Sequence, residues 1–262
     1  MNYPVTRSLT RMSTMLFEPH QARRWNCGVN LYLKVFLRKI DPDGGAATGT
    51  AADWDTTNNG ARRRNIVRWA AGEFEAWSAR YQRECQTFWD TKFWLCPPMN
   101  YADLDFQQNM QTMRPNVRCG LYLTLVNGEA LADHTIDVVR IADSEDFYRS
   151  DSGHYDNRDL EPSATNGGLM QRAHIHEVGH LLTMGHSNDG DPACVNNNPV
   201  CYAGDNVMGS GEAITPWNAK PWQDAMQACT GISSTQWRVS MTEVLPQVRM
   251  STSMSPGGFR FA

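Results

Sequence analysis

Several features that would assign this chain to a familiar class are missing from its sequence. No uninterrupted run of about 18 apolar residues is present, as a membrane-spanning helix would need. Residues 1–20 lack the apolar core of a secretory signal. Positive charge is not in excess either, since 24 Lys and Arg against 28 Asp and Glu give a formal net charge of −4. We therefore expect neither a membrane span nor nucleic-acid binding.

Closely spaced cysteine pairs of the zinc-ribbon type and internal repeats are also missing. The seven cysteines are scattered, and their odd number leaves at least one thiol outside any intramolecular disulfide. Cys194 and Cys201 bracket a short polar loop and are the best candidates for a local disulfide, with isolated buried thiols as the alternative. Because no linker interrupts the chain, residues 1–262 are expected to form one domain, with an upper lobe at about 1–186 and a lower lobe at about 187–262.

Strand-like and helix-like patterns alternate along the chain. Apolar residues at every second position predict strands, and those at three- and four-residue steps predict helices. A long polar stretch at 41–61 is expected to be a surface loop, and the basic run at 62–64 a solvated helix end. The predicted elements are a strand at 29–40, a long amphipathic helix from about 62 to 89, strands at 117–128 and 134–142, a helix that starts with the stretch 174–186, and a helix at about 219–229. This order predicts an α+β fold with helices packed on a mixed sheet.

Four of the seven histidines fall within residues 174–186, HIHEVGHLLTMGH. His176, Glu177 and His180 form an H-E-x-x-H motif. Residues four apart on a helix lie on one face, one turn apart, so His176 and His180 can share one zinc ion. Glu177 lies beside them, where its carboxylate can reach a water on the metal without being a ligand. His186 follows ten residues after His176 and is the candidate third ligand.

A third ligand at His186 requires the helix to end first. In a continued helix, His186 would lie about 9 Å beyond His180 along the axis. Thr183 is β-branched and disfavours the left-handed conformation that such a turn uses, so Gly185 is an alternative position for the turn. Carboxylates also complete two-histidine zinc sites. The alternative third ligands are Asp189, Asp191 and Glu212.

Two simpler interpretations concern the same stretch. His174 precedes the motif by two positions, so it is expected to point away from the ligands, at the surface or behind them. The whole cluster can also be an ordinary helix with surface histidines, including a zinc-free relic of an enzyme.

The motif resembles that of the metzincin clan of zinc metallopeptidases, whose signature is H-E-x-x-H-x-x-G-x-x-H followed by a methionine-containing turn. The segment DNVMGSG places Met208 22 residues after His186. The resemblance implies that His176, His180 and His186 are zinc ligands and that Glu177 is the general base. It also implies that Met208 forms a hydrophobic floor beneath the metal.

The resemblance implies a fold and a way of binding substrate as well. The fold would be metzincin-like: a mixed twisted β-sheet with a long backing helix, an active-site helix and a small irregular C-terminal lobe with one helix. An edge strand around Gly153, His154 and Tyr155 would hold an extended protein or peptide substrate by backbone pairing. The sequence departs from the clan at Thr183, where the clan has glycine, and at Ser210, where some members have a tyrosine that approaches the metal.

The expected function is that of a zinc-dependent endopeptidase with one catalytic Zn²⁺, in which Glu177 assists the attack of water on a peptide bond. Two alternatives are a catalytically inactive metzincin-like binding protein and a toxin or effector that cleaves one host protein. Secretion or delivery by a dedicated export system is expected rather than a cytoplasmic location. The acid-rich loop at 187–201 offers oxygen ligands for calcium but lacks the spacing of a known calcium loop, which favours a solvated loop.

Overall fold

A mixed, twisted β-sheet with helices packed on it forms the centre of this α+β protein. The structure is a computed structural model, and it describes residues 4–9, 11–17, 26–53, 62–146, 148–165, 168–188 and 204–249. Its strands are β1 (Val5–Leu9), β2 (Met12–Phe17), β3 (Cys27–Ile40), β4 (Thr48–Asp53), β5 (Arg62–Val67), β6 (Trp94–Cys96), β7 (Phe106–Gln108), β8 (Gln111–Arg114), β9 (Val117–Leu125), β10 (His134–Val139), β11 (His154–Asp156), β12 (Ser163–Ala164), β13 (Met170–Gln171), β14 (Arg238–Ser240) and β15 (Gln247–Val248). Its α-helices are α1 (Glu73–Trp89), α2 (Ala173–Leu181) and α3 (Lys220–Thr230).

Strand β3 organises the sheet because it contacts three other strands. It runs antiparallel to β2 and parallel to β9 and β10. Beyond β9 the sheet continues through β6 to β14, and β11 pairs with β10 at the other side. Leu31, Leu33 and Val35 alternate along β3 and are fully buried. The prediction of a strand at 29–40 is confirmed, with an earlier start at Cys27.

The long helix begins at Glu73, so the prediction that it starts near Arg62 is wrong. Residues 62–67 form β5, which pairs antiparallel with β4, a strand inside the stretch expected to be a loop. Arg64 is fully buried, and its Nε donates to Asp53 Oδ2 at 2.7 Å. The basic run is therefore not a solvated helix end. From the sequence alone, an arginine is expected to be exposed. The buried Arg64 therefore hid the two-residue alternation of buried positions that it shares with Ile66, which would have predicted a strand.

Aromatic side chains of α1, including Trp77, Tyr81 and Trp89, pack into the core. Trp77 and Tyr81 stack with ring centroids 5.7 Å apart, and Tyr81 and Trp89 are fully buried. Trp89 Nε1 donates to the carbonyl of Ile175 at 3.1 Å, which attaches α1 directly to α2. The long helix thereby positions the short one that carries the histidine motif.

The C-terminal region returns to the sheet. Helix α3 confirms the helix predicted at about 219–229, and Trp222 Nε1 donates to the carbonyl of Gly120 in β9 at 2.8 Å. Strand β14 then pairs with β6. Cys194 and Cys201, the predicted disulfide pair, lie outside the described residues, as does most of the acid-rich loop. Among the described residues, no helix is long and apolar enough to cross a membrane.

Candidate metal centre

Helix α2 ends in a turn that brings the chain back toward the histidines. Thr183 has a φ of 72°, in the left-handed region. The amide of Thr183 donates to the carbonyl of His180, and that of Met184 donates to the carbonyl of Gly179. These two bonds form a Schellman motif, in which a left-handed residue closes the helix. The turn is therefore made at the threonine itself and not at the glycine two residues later.

This turn places His186 beside the two histidines of the helix. The ring centroids of His176 and His180 are 4.8 Å apart, those of His180 and His186 are 4.8 Å apart, and those of His176 and His186 are 5.6 Å apart. One ligand atom from each ring lies within 4.8 Å of the other two. The three residues form a cluster that can hold a metal ion.

Backbone carbonyls fix how two of these rings are oriented. Nδ1 of His176 lies 2.7 Å from the carbonyl of Val207, and Nδ1 of His180 lies 2.9 Å from the carbonyl of Met184. Because a carbonyl can only accept, each Nδ1 must donate its hydrogen. In a neutral ring this leaves Nε2 with a free lone pair, which is the form that binds metal.

The spacing of two of these nitrogens is close to that of two ligands on one metal ion. Nε2 of His176 and Nε2 of His180 are 3.1 Å apart, so their lone pairs would face each other when both rings are neutral and protonated at Nδ1. Two nitrogens on a tetrahedral zinc ion are about 3.3 to 3.4 Å apart, given Zn–N distances of about 2.0 to 2.1 Å. Burial, reinforced by His180 and His186, lowers the pKa of His176 to about 3 against the opposing bond to Val207, which favours the neutral ring.

Met208 lies directly against the histidine helix. Its side chain is fully buried, and a Cβ placed on Gly179 would lie only 2.2 Å from its Sδ. The amide of Met208 donates to Asn206 Oδ1 at 2.8 Å, and its carbonyl accepts from the amide of Ser187 at 2.8 Å. The segment around Met208, residues 206–211, is called the methionine segment below. It contacts α2 between the two histidines of the motif and also bonds to Ser187, the residue that follows His186.

The structure separates the alternatives for the third ligand. Glu212 is engaged by Arg172, whose Nε and Nη2 each donate to its carboxylate at 2.8 Å. Asp189 and Asp191 lie outside the described residues. Of the candidates that the structure describes, it is His186 that joins the cluster.

Sequence reasoning missed Gln171, the residue that ends β13 just before α2. Its side-chain amide nitrogen lies 3.1 Å from the carbonyl oxygen of Val207, 3.0 Å from that of Gly209 and 2.7 Å from that of Gly211. Its side chain is almost fully buried. No local motif identifies such a residue, because its three partners are about 40 positions away in the chain.

Glu177 has an environment suited to accepting a proton. Burial raises the pKa of its carboxyl well above the ordinary value, and the negative charges of Asp151 and Asp159 add to this, while Arg149 opposes it. A carboxylate with a raised pKa is a stronger base near neutral pH. Glu177 therefore combines its place in the motif with basicity.

His174 is not at the surface. It is fully buried, with Nδ1 2.9 Å from the carbonyl of Asp159 and Nε2 3.3 Å from Oε2 of Glu84 on α1. Burial, its largest influence, lowers the pKa of His174 to about 4. This histidine lies behind the helix, in contact with α1, and is not part of the three-histidine cluster.

Strand β11 contains the residues predicted to bind substrate, and among the strands that the structure describes it pairs only with β10, in parallel, which makes it an edge strand. Gly153 contributes its carbonyl to the amide of Asp137 in β10. The side chain of Tyr155 is fully buried against Trp77 and Tyr81, with ring centroids 6.3 and 5.7 Å away. Tyr155 can therefore offer no side chain to a substrate.

The outer edge of β11 is already hydrogen-bonded within the chain. The amide and carbonyl of His154 bond to the carbonyl and amide of Asp151, and its Nδ1 lies 2.8 Å from Asp151 Oδ1. The amide of Asp156 donates to the Asp159 carboxylate, and its carbonyl accepts from the Asp159 amide. A peptide could pair here only by exchanging these bonds, so backbone pairing of a substrate at β11 stays a prediction.

No protein-family model, curated protein or solved structure matches this chain. The fold and the cluster consequently define the protein only as an α+β protein with a three-histidine site that can hold a metal ion.

Proposed function

We propose that this protein is a zinc-dependent endopeptidase of the metzincin type. The observation that carries the proposal is the cluster of His176, His180 and His186, with one ligand atom of each within 4.8 Å of the others, and with Glu177 next to His176 in the same motif. Three histidine nitrogens would hold zinc and, as far as the described residues go, leave its fourth position open, as in catalytic zinc sites. A structural zinc site would instead be closed by a fourth protein ligand.

The surroundings of the cluster support the same class. Thr183 forms a turn at the position where the clan has glycine, and Met208 packs against Gly179 of α2, between the two histidines of the motif, which is consistent with a methionine beneath the metal. The long helix α1 backs the short helix that carries the motif. These features reproduce the relations implied by the resemblance, although Ser210 stands where some members of the clan have a tyrosine.

In the proposed reaction, each residue of the site has a separate role. A bound zinc ion would supply Lewis acidity, which acidifies water and polarises a peptide carbonyl. Glu177 takes the proton of the attacking water and passes it to the nitrogen of the leaving amine. The carbonyls of Val207 and Met184 hold the rings of His176 and His180 with Nε2 toward the metal.

One observation favours a second candidate function. Because the outer backbone groups of β11 are bonded internally, the edge that would hold any extended peptide is occupied. This favours either a metal-binding protein without peptidase activity or an effector protease that recognises a single protein by other contacts. Both share the metal centre, but the first cleaves nothing and the second cleaves a single protein.

Metal content and cleavage test the proposal together. We would measure zinc by elemental mass spectrometry in the wild type, His186→Ala, Glu177→Ala and a control, His134→Ala, whose histidine lies in β10. We expect about one zinc per chain in all but His186→Ala, because only that variant loses a ligand. A library of peptides should be cleaved by the wild type and the control but not by Glu177→Ala.

The outcomes separate the candidates. A wild type without zinc under metal-replete conditions would overturn the metal centre and the peptidase. Full zinc with no cleavage of peptides or unfolded proteins would favour the binding protein. Cleavage of one folded protein alone would favour the effector.

A further inference from the structure

The side-chain amide of Gln171 holds three carbonyl groups of the methionine segment. Its Nε2 lies within 3.1 Å of the carbonyl oxygens of Val207, Gly209 and Gly211. Carbonyl oxygens only accept hydrogen bonds, so the atom among them must be the amide nitrogen. Its two hydrogens draw together three oxygens that would otherwise repel one another.

One of these carbonyls also orients a candidate metal ligand. The oxygen of Val207 accepts from Gln171 Nε2 and, at 2.7 Å, from Nδ1 of His176. The next residue in the chain is Met208, whose Sδ lies against Gly179. The side-chain amide of Gln171 thus holds the carbonyl that bonds to His176. It also holds the carbonyls of the two residues on either side of Met208, Val207 and Gly209.

We propose that Gln171 is a positioning residue of the metal centre. The inference rests on the proposed function, since it takes the three-histidine cluster as a zinc site. By fixing the Val207 carbonyl, Gln171 holds His176 with Nδ1 protonated and Nε2 directed at the metal. Partners that orient metal-binding histidines in this way affect metal affinity strongly without touching the metal.

Other bonds hold the same segment without reaching that carbonyl, and they provide the control. Thr165 Oγ1 donates to the carbonyl of Ser210 at 3.0 Å, from the turn that precedes β13. If Gln171 only stabilised the segment, then losing its bonds and losing the Thr165 bond should have effects of the same kind. If it positions His176, only its own loss should change the metal centre.

The test compares Gln171→Met, which keeps the length of the side chain but removes the donor, with Thr165→Val. Gln171→Asn serves as a milder variant, because its amide is one methylene shorter, in case the methionine variant does not fold. We would measure zinc affinity by competition with a chelator, the visible spectrum of the cobalt-substituted protein and the melting temperature without metal. We expect zinc affinity to fall about 10- to 100-fold in Gln171→Met, with an altered cobalt spectrum. Gln171→Asn should show a smaller loss of the same kind, and Thr165→Val should lower the melting temperature alone.

Wild-type zinc affinity and an unchanged cobalt spectrum in the Gln171 variants would overturn the inference, whatever their melting temperatures. An equal loss of affinity in Thr165→Val would overturn it too. These readouts need no substrate. A wild type that binds zinc but cleaves nothing would therefore contradict the peptidase proposal and leave the role of Gln171 intact. A wild type that binds no zinc would contradict both.

Discussion

The sulfur of Met208 occupies the space that a side chain on Gly179 would need: a Cβ at that position would lie 2.2 Å from Sδ and 3.0 Å from Cε. Gly179 is the residue before the second histidine of the motif. Met208 is fully buried, and Cε of Met184 lies 3.2 Å from the same point, so the thioether has little room to withdraw. The helix and the methionine segment approach this closely only because residue 179 has no side chain.

Gly179→Ala should therefore destabilise the protein. In an ordinary helix the change would add about 0.5 to 1 kcal/mol of stability. Here we expect a loss of about 1 to 3 kcal/mol, because overpacking at the sulfur outweighs the gain in helix propensity. Chemical denaturation measures the difference. Gly128→Ala is the control, since nothing lies within 4 Å of its added Cβ, and a stabilised Gly179→Ala would contradict the packing argument.

Thr183→Gly should have the opposite effect. The left-handed conformation of Thr183 costs a β-branched residue about 1 to 2 kcal/mol, which glycine does not pay. Glycine also makes the unfolded chain more flexible, so we expect a net gain of about 1 kcal/mol or less. Zinc content should not change, because the turn is kept. Thr183→Ala retains the Cβ and should gain less than the glycine variant; a glycine variant less stable than the wild type would refute the strain.

The metal cluster could be predicted from the sequence because its spacing is local. A helix places His176 and His180 on one face, and a turn within six residues is enough to return His186. The sequence did not indicate where the turn falls, because β-branched Thr183 is unfavourable in the left-handed region and a glycine stands two residues later. The Schellman bonds of the helix end outweigh that local preference.

Long-range partners explain what the sequence did not predict. Gln171 acts through carbonyls near residue 210, and the buried Arg64 donates to the carboxylate of Asp53 on the neighbouring strand β4. Neither pairing has a local pattern. The start of α1 was misplaced for the same reason, since one charged residue on the buried face of β5 broke the alternation that would have revealed a strand.

Arg64→Leu should be strongly destabilising. It would remove the guanidinium that pairs with the fully buried carboxylate of Asp53 and also with Glu145 and Asp146, and removing one partner of a buried ion pair costs about 3 to 5 kcal/mol. Replacing both residues, in Arg64→Leu with Asp53→Leu, should recover much of that loss, because the fully buried carboxylate is removed and the two other acids that contact Arg64, Glu145 and Asp146, are more exposed to solvent. Urea denaturation of the two variants measures the difference. If the double variant were as unstable as the single one, the loss would come from packing and not from the orphaned charge.

The stability of the metal-free protein should fall in mildly acidic solution because of His174. Burial lowers the pKa of this imidazole to about 4 in the folded state, against about 6.5 in the unfolded chain. Above pH 6.5 both states hold it neutral, and its contribution to stability is fully present. As the pH falls from about 6.5 toward 4, the unfolded chain takes up a proton that the folded protein does not, so up to about 3 kcal/mol is lost.

Comparing the wild type with His174→Gln by urea denaturation at pH 7.5, 6.0 and 5.0 isolates this contribution. His176 also has a lowered pKa, to about 3, and it is common to both proteins, so its own pH dependence cancels in the comparison. Glutamine cannot titrate, and the stability gap between the two proteins should therefore shift in favour of the variant as the pH falls. A gap that stays constant across this range would mean that His174 keeps an ordinary pKa in the folded protein, which its complete burial beside Glu84 and the Asp159 carbonyl argues against.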